Sequence, residues 1–95
     1  MTQRKATYIH VKGLVQGVGF RPFVYRLAAR CNIAGWVENS NDGVHIHAEA
    51  SPQAITGFLR ALKQEAPAAS QILEIHENQV EWEGYEAFSI RKSAD

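Results

Sequence analysis

A two-layer α+β domain, an antiparallel sheet with two helices on one face, is predicted by three observations. Apolar periodicity runs along the chain in the order strand, helix, strand, strand, helix, strand, with one short strand to close. An Asn41-Asp42-Gly43 turn, the strongest local hairpin signal in the chain, separates the second and third strands. The length of 95 residues allows one core and leaves no room for a second. This order is the split βαβ, or ferredoxin-like, pattern, in which the first and third strands lie side by side at the centre. Residues 1–95 are therefore read as one domain, with Ser93-Ala94-Asp95 as a frayed end or a cut toward further sequence.

Each element has its own local reason. From Thr7 to Leu14, Ile9 and Val11 alternate with Tyr8, His10 and Lys12, which predicts a half-buried strand. Pro22 to about Asn32 reads as a helix, with Pro22 at its first position, where a missing N–H costs nothing. Val24, Leu27, Ala28 and Cys31 form its apolar face, and Arg26 and Arg30 its outer one. Trp36 to Asn39 and Val44 to Ala50 are the two arms of the hairpin. In the second arm Val44, Ile46 and Ala48 alternate with His45, His47 and Glu49. Ser51-Pro52 is an N-cap followed by a first-turn proline, and Ile55, Phe58, Leu59 and Leu62 recur at helical spacing until Pro67 stops the chain. Ile72 to His76 with the Val80 and Trp82 region make one long or interrupted strand, and Ala87 to Arg91 a short last one.

Bulk composition excludes several classes. Ten basic and ten acidic side chains cancel, so no broad field draws nucleic acid or an anionic membrane, and anion affinity has to be local. No apolar run is long enough to span a bilayer, and Cys31, alone, cannot form an internal disulfide. A reducing, cytoplasmic setting is the expectation.

Local anion affinity has one obvious seat. Val15-Gln16-Gly17-Val18-Gly19-Phe20-Arg21 joins the first strand to the first helix. Glycines in such a turn let successive backbone N–H groups face one hollow, and the helix N-terminus adds partial positive charge. Arg21 supplies a planar cationic guanidinium able to hold two oxygens of a phosphate or carboxylate. No third glycine follows at dinucleotide-loop spacing, and no Gly-Lys-Ser/Thr follows, so neither common nucleotide loop is present. Asn39, taken by itself, is a turn or strand-end residue, and periodicity leaves open whether it meets the loop.

The histidines are read as surface polarity. His10, His45, His47 and His76 project from the helix-free sheet face, but no carboxylate or cysteine stands at a recognised ligand spacing, and no metal or other cofactor is expected. Tyr8 and Lys12 share that face, yet the aromatic signature of RNA-recognition sheets is missing, so no nucleic-acid partner is expected. Trp36 and Trp82 are taken as packing or edge aromatics.

The loop motif, together with Gly35-Trp36-Val37-Glu38-Asn39, Asp42-Gly43 and the closing Phe88-Ser89-Ile90, resembles the signature of the acylphosphatase family over nearly the whole chain. Gly19 stands where small free-standing members carry a bulky or aromatic residue. With Arg21-Pro22-Phe23-Val24-Tyr25, it is similar to the N-terminal domain of hydrogenase-maturation carbamoyltransferases of the HypF type. The resemblance implies an acylphosphatase-like fold and hydrolysis of acyl phosphates, with carbamoyl phosphate as substrate. It also implies that Arg21 and the N–H groups of Gln16, Gly17, Val18, Gly19 and Phe20 bind phosphate, and that Asn39 orients the attacking water. Downstream carbamoyltransferase domains and a maturation partner are implied in the same way. Two alternatives stand beside this: a free-standing acylphosphatase of broad specificity, and a phosphate-binding regulatory module without turnover.

Overall fold

In a computed structural model describing residues 5–92, β1 (Lys5–Leu14) buries Ile9 and Val11 completely and turns Tyr8, His10 and Lys12 to the other face. Helix α1 spans Phe20–Arg30, beginning two residues before the predicted Pro22. The buried rings of Phe20 and Phe23 meet edge-on with centroids 5.5 Å apart, which draws Phe20 into the first turn. Pro22 is the third helical residue, where an N–H still has no intrahelical acceptor and its loss is harmless. The helix ends earlier than Asn32 for an equally local reason. Asn32 takes a left-handed φ of 58°, while the N–H groups of Asn32 and Ile33 turn back to the carbonyls of Ala29 and Ala28. That is a Schellman closure with asparagine in the glycine position.

Strands β2 (Ala34–Ser40) and β3 (Gly43–Glu49) pair antiparallel up to Ser40 opposite Gly43, leaving Asn41 and Asp42 in the turn. In α2 (Pro52–Gln64), Ser51 is the N-cap and its hydroxyl accepts the Ala54 N–H at 3.2 Å. Phe58 and Leu62 are fully buried, with Ile55 and Leu59 packed at the margin of the core. β4 (Gln71–Glu81) is one continuous strand and β5 (Phe88–Ile90) a short one. Ser93-Ala94-Asp95, read above as a frayed end, lies outside the described residues.

The sheet order is β4-β1-β3-β2-β5, with β1 and β3 adjacent as the split βαβ pattern requires. It is not wholly antiparallel. β5 joins the outer edge of β2 in parallel, so the sheet is mixed. The geometry dictates this: β4 ends opposite Lys5, at the end of the sheet where β2 begins, and a chain crossing directly to the free edge of β2 must enter in the same direction.

The crossing segment changes one sheet face. Glu49, at the end of β3, accepts the N–H groups of Glu83, Gly84 and Tyr85, while Tyr85 packs edge-on against His47 and Trp36 stacks on it. His47 and Glu49 are each only 2% exposed, so the expectation of four histidines on an open polar face holds for His10, His45 and His76 and fails for His47. Alternation put His47 on the correct side of the sheet; a segment more than thirty residues away in sequence then covered it.

Candidate functional site

The turn between β1 and α1 is shaped by two left-handed glycines, Gly17 at φ 72° and Gly19 at φ 76°. A side chain at either position would find open space, so the requirement is conformational, not steric. Gly19 is the N-cap of α1 and brings no side chain to satisfy the helix end. The first helical bond runs from Phe23 N–H to the Gly19 carbonyl, leaving the N–H groups of Phe20 and Arg21 without intrahelical acceptors. Among the described residues, no other backbone or side-chain group accepts from the N–H groups of residues 16 to 20. The result is a backbone cradle of unpaired donors at the positive end of a helix dipole.

Topology brings the hairpin to the cradle. β1 runs antiparallel to β3, so the loop after Leu14 and the turn at Asn41-Asp42 lie at the same end of the sheet. The Gln16 side-chain amide ties them, donating to the carbonyls of Ser40 and, at 3.3 Å, Gly43. Asn39 stands opposite the fully buried Val44, which directs its side chain to the helix-bearing face where the loop lies. Its Oδ1 is buried and has no hydrogen-bond partner among the described residues, an unusual state for a side-chain acceptor.

Arg21 arrives by a different route. Its Nη1 donates to the Arg91 carbonyl at 3.0 Å, and the Arg91 N–H donates to the Val37 carbonyl at 2.8 Å. Val37 lies two residues before Asn39 on β2, so the end of β5 serves as the bracket that anchors the guanidinium at the outer edge of the strand carrying Asn39. Among the described residues, one of Arg21's five N–H donors is used there and four remain. Arg91 itself, with its guanidinium 4.1 Å over the Trp36 ring and its Nη2 donating to Tyr85 Oη at 3.2 Å, is a supporting residue that the sequence reading missed. So is the Gln16 side chain, whose backbone N–H alone had been singled out. No spacing rule marks either one, because each acts through a backbone carbonyl far away in sequence.

A cavity of about 840 Å³ bordered by Lys5, Asn32, Glu49, Ser51 and Trp82 lies at the opposite end of the sheet, and neither the loop nor Asn39 borders it. Among the described residues no helix is long and apolar enough to cross a membrane.

A glycine-shaped turn at a helix N-terminus, Arg21 at the first turn of that helix and the buried Oδ1 of Asn39 are thus carried by a split βαβ sandwich. The Acylphosphatase family model matches residues 7–90, and the chain belongs to that family. It is an acylphosphatase-type hydrolase domain. It is similar to the carbamoyltransferase HypF2 of Cupriavidus necator, 43% identical over 89 residues that span 90% of this chain and 11% of the relative. It is equally similar to the acylphosphatase of Thermotoga maritima, 42% identical over 92% of this chain and 97% of that one. Among solved structures, full-length HypF in its phosphate- and nucleotide-bound form superimposes with a TM-score of 0.91 at 38% identity, over 99% of this chain and 13% of that one. Bacillus subtilis acylphosphatase does so with a TM-score of 0.86 at 39% identity, over 92% and 98%. The chain thus spans about a tenth of the length of the HypF carbamoyltransferases that it matches.

Proposed function

We propose that this chain hydrolyses acyl phosphates at the cradle of residues 16 to 21, with carbamoyl phosphate as the physiological substrate. On this reading it works as the N-terminal domain of a cytoplasmic carbamoyltransferase in hydrogenase maturation, alongside downstream transfer domains and a maturation partner. The N–H groups of Gln16, Gly17, Val18, Gly19 and Phe20 receive the phosphoryl oxygens, and the free donors of Arg21 neutralise charge on them. Asn39 Oδ1 accepts a hydrogen bond from a water and sets its oxygen in line with the phosphorus. Attack forms the new P–O bond as the bond to the acyl oxygen breaks; one water proton stays on the phosphate, the other leaves to solvent, and carboxylate or carbamate departs with inorganic phosphate. The leaving group is already good, so positioning and charge neutralisation are the work required.

The observation that carries this reading is the buried, unpartnered Oδ1 of Asn39 on the same face as the cradle. A buried acceptor without a donor costs about 1–3 kcal/mol, and a substrate water would relieve that cost. The test is phosphate release from carbamoyl phosphate and benzoyl phosphate by the wild type, Arg21→Ala and Asn39→Ala. Each substitution is expected to reduce turnover by about a hundredfold or more. A preference for carbamoyl phosphate supports the carbamoyltransferase context, and a preference for benzoyl phosphate supports the broad-specificity alternative, which the Thermotoga relative favours. Retained phosphate binding with no turnover in the wild type would refute hydrolysis and leave a binding module.

A further inference from the structure

Across the helix-free face at the cradle end, the strand register aligns three imidazoles in one row: His76 opposite His10, and His10 opposite His45. The β2–β3 turn then brings Asp42 over the row. His45 Nε2 lies 2.8 Å from Asp42 Oδ1, and His10 Nε2 lies 3.7 Å from Asp42 Oδ2. Both rings stack nearly parallel, with centroids 4.2 Å apart, and turn their Nε2 atoms toward Asp42: His45 to the carboxylate and, at 2.9 Å, to Ser40 Oγ, and His10 to the Asp42 backbone carbonyl at 2.7 Å with Oδ2 beyond it. The sequence showed the histidines but not this carboxylate, since Asp42 reads there only as a hairpin residue.

We propose that His10, His45 and Asp42 form a binding site for one borderline divalent transition-metal ion of the Zn²⁺ type. The donor set is two imidazole nitrogens and one carboxylate oxygen, which such ions accept and which Mg²⁺ or Ca²⁺ does not favour. Ligand atoms around a tetrahedral zinc stand about 3.3 Å apart, given metal–ligand bonds of about 2 Å. The separations of 2.8 and 3.7 Å bracket that edge, and all three ligand atoms lie within 4.8 Å of one another. Closing the widest of these separations to that edge takes side-chain movement of at most about 1.5 Å.

The surroundings prepare each ligand. The Ser40 hydroxyl donates to Asp42 Oδ1 and fixes the carboxylate beside His45. Tyr8 Oη lies 2.9 Å from His45 Nδ1, the ring nitrogen away from Asp42. A hydroxyl both donates and accepts. Without metal, Tyr8 donates to Nδ1 while Nε2–H faces Asp42; with metal on Nε2, the proton moves to Nδ1 and Tyr8 accepts it. Such an orienting partner on the distal nitrogen is the usual second contact of a metal-bound histidine. His10 and His45 side chains are 18% and 16% exposed and Asp42 62%, which leaves an open side for ion entry and a water as fourth ligand. His76, engaged with Glu74 at 3.0 Å and 6.5 Å from the His10 ring centroid, stays outside the set.

The test is calorimetric titration of the tag-free chain with Zn²⁺, together with its thermal midpoint with and without the ion. One equivalent is expected to bind to the wild type and to raise its midpoint. Affinity should fall at least tenfold in His10→Ala, His45→Ala and Asp42→Asn, and about tenfold in Tyr8→Phe. His76→Ala should bind as the wild type does. Asp42→Asn sits in an exposed turn and remains informative even where a histidine substitution impairs folding. No stoichiometric binding, or binding unaltered by Asp42→Asn and His45→Ala, would overturn the site and leave the cluster as a hydrogen-bonded brace of the hairpin.

Discussion

Replacing Glu49 by glutamine is expected to be among the most damaging isosteric changes in the molecule, although Glu49 lies at the far end of the sheet from the cradle. The carboxylate side chain is fully buried and receives four donors. Oε2 accepts from His47 Nε2 at 2.8 Å and Glu83 N–H at 2.6 Å, and Oε1 from the N–H groups of Gly84 at 3.1 Å and Tyr85 at 2.8 Å. A carboxamide offers one acceptor oxygen, so either orientation sets its NH₂ against two buried donors. Two unsatisfied donors at about 1–3 kcal/mol each, and the loss of charge-assisted hydrogen bonds to a buried carboxylate, put the cost at about 3–5 kcal/mol. That is a third or more of the stability of an average domain. Urea denaturation at pH 7 measures it directly. Acid titration supplies a second readout. Burial alone would raise the Glu49 pKa, but the His47 hydrogen bond and the backbone N–H groups together outweigh burial and hold it below its ordinary 4.5. The stability it contributes is therefore fully present above about pH 4.5 and lost as pH falls through the lowered folded-state value. The wild-type and Glu49→Gln curves should converge in acid. A difference below about 1 kcal/mol at pH 7, or parallel acid limbs, would refute the claim that Glu49 clamps the crossing segment.

Two further outcomes follow from packing and capping. Gly35→Ala would place a methyl group 1.8 Å from the His47 carbonyl oxygen at a φ of 135°, so a loss of about 3 kcal/mol or more is expected in thermal or urea unfolding. Ser51→Ala removes the acceptor for the Ala54 N–H at the start of α2 and should cost about 1 kcal/mol, with turnover unchanged because Ser51 follows the end of β3, at the opposite end of the sheet from the cradle.

Sequence and structure divide along the range of the interactions involved. The Ser51-Pro52 start of α2, its Phe58 and Leu62 stripe, the alternation in β1 and β3, and the Asn41-Asp42 turn could all be read directly, because caps, periodicity and turn chemistry act within a few residues. The glycine turn before α1 was legible for the same reason, although buried Phe20 moved the helix start from Pro22. The place of Asn39 was not: only the register opposite Val44 turns its side chain toward the loop, and only the Gln16 tether fixes the distance between hairpin and loop. Arg21 could be named from the motif, yet its bracket, the Arg91 carbonyl, is seventy positions away.

What the sequence by itself determined is the order of elements, the core stripes and the residue types at the cradle, since each follows from backbone conformational preference and local patterning. Tertiary structure decided which of those residues face one another. It set β5 parallel to β2, roofed His47 with the 83–85 segment, and carried Asp42 onto the histidine row. The reason is that strand pairing and chain crossing join groups whose separation in sequence carries no signal; their contact is chosen by burial and hydrogen-bond satisfaction across the whole fold.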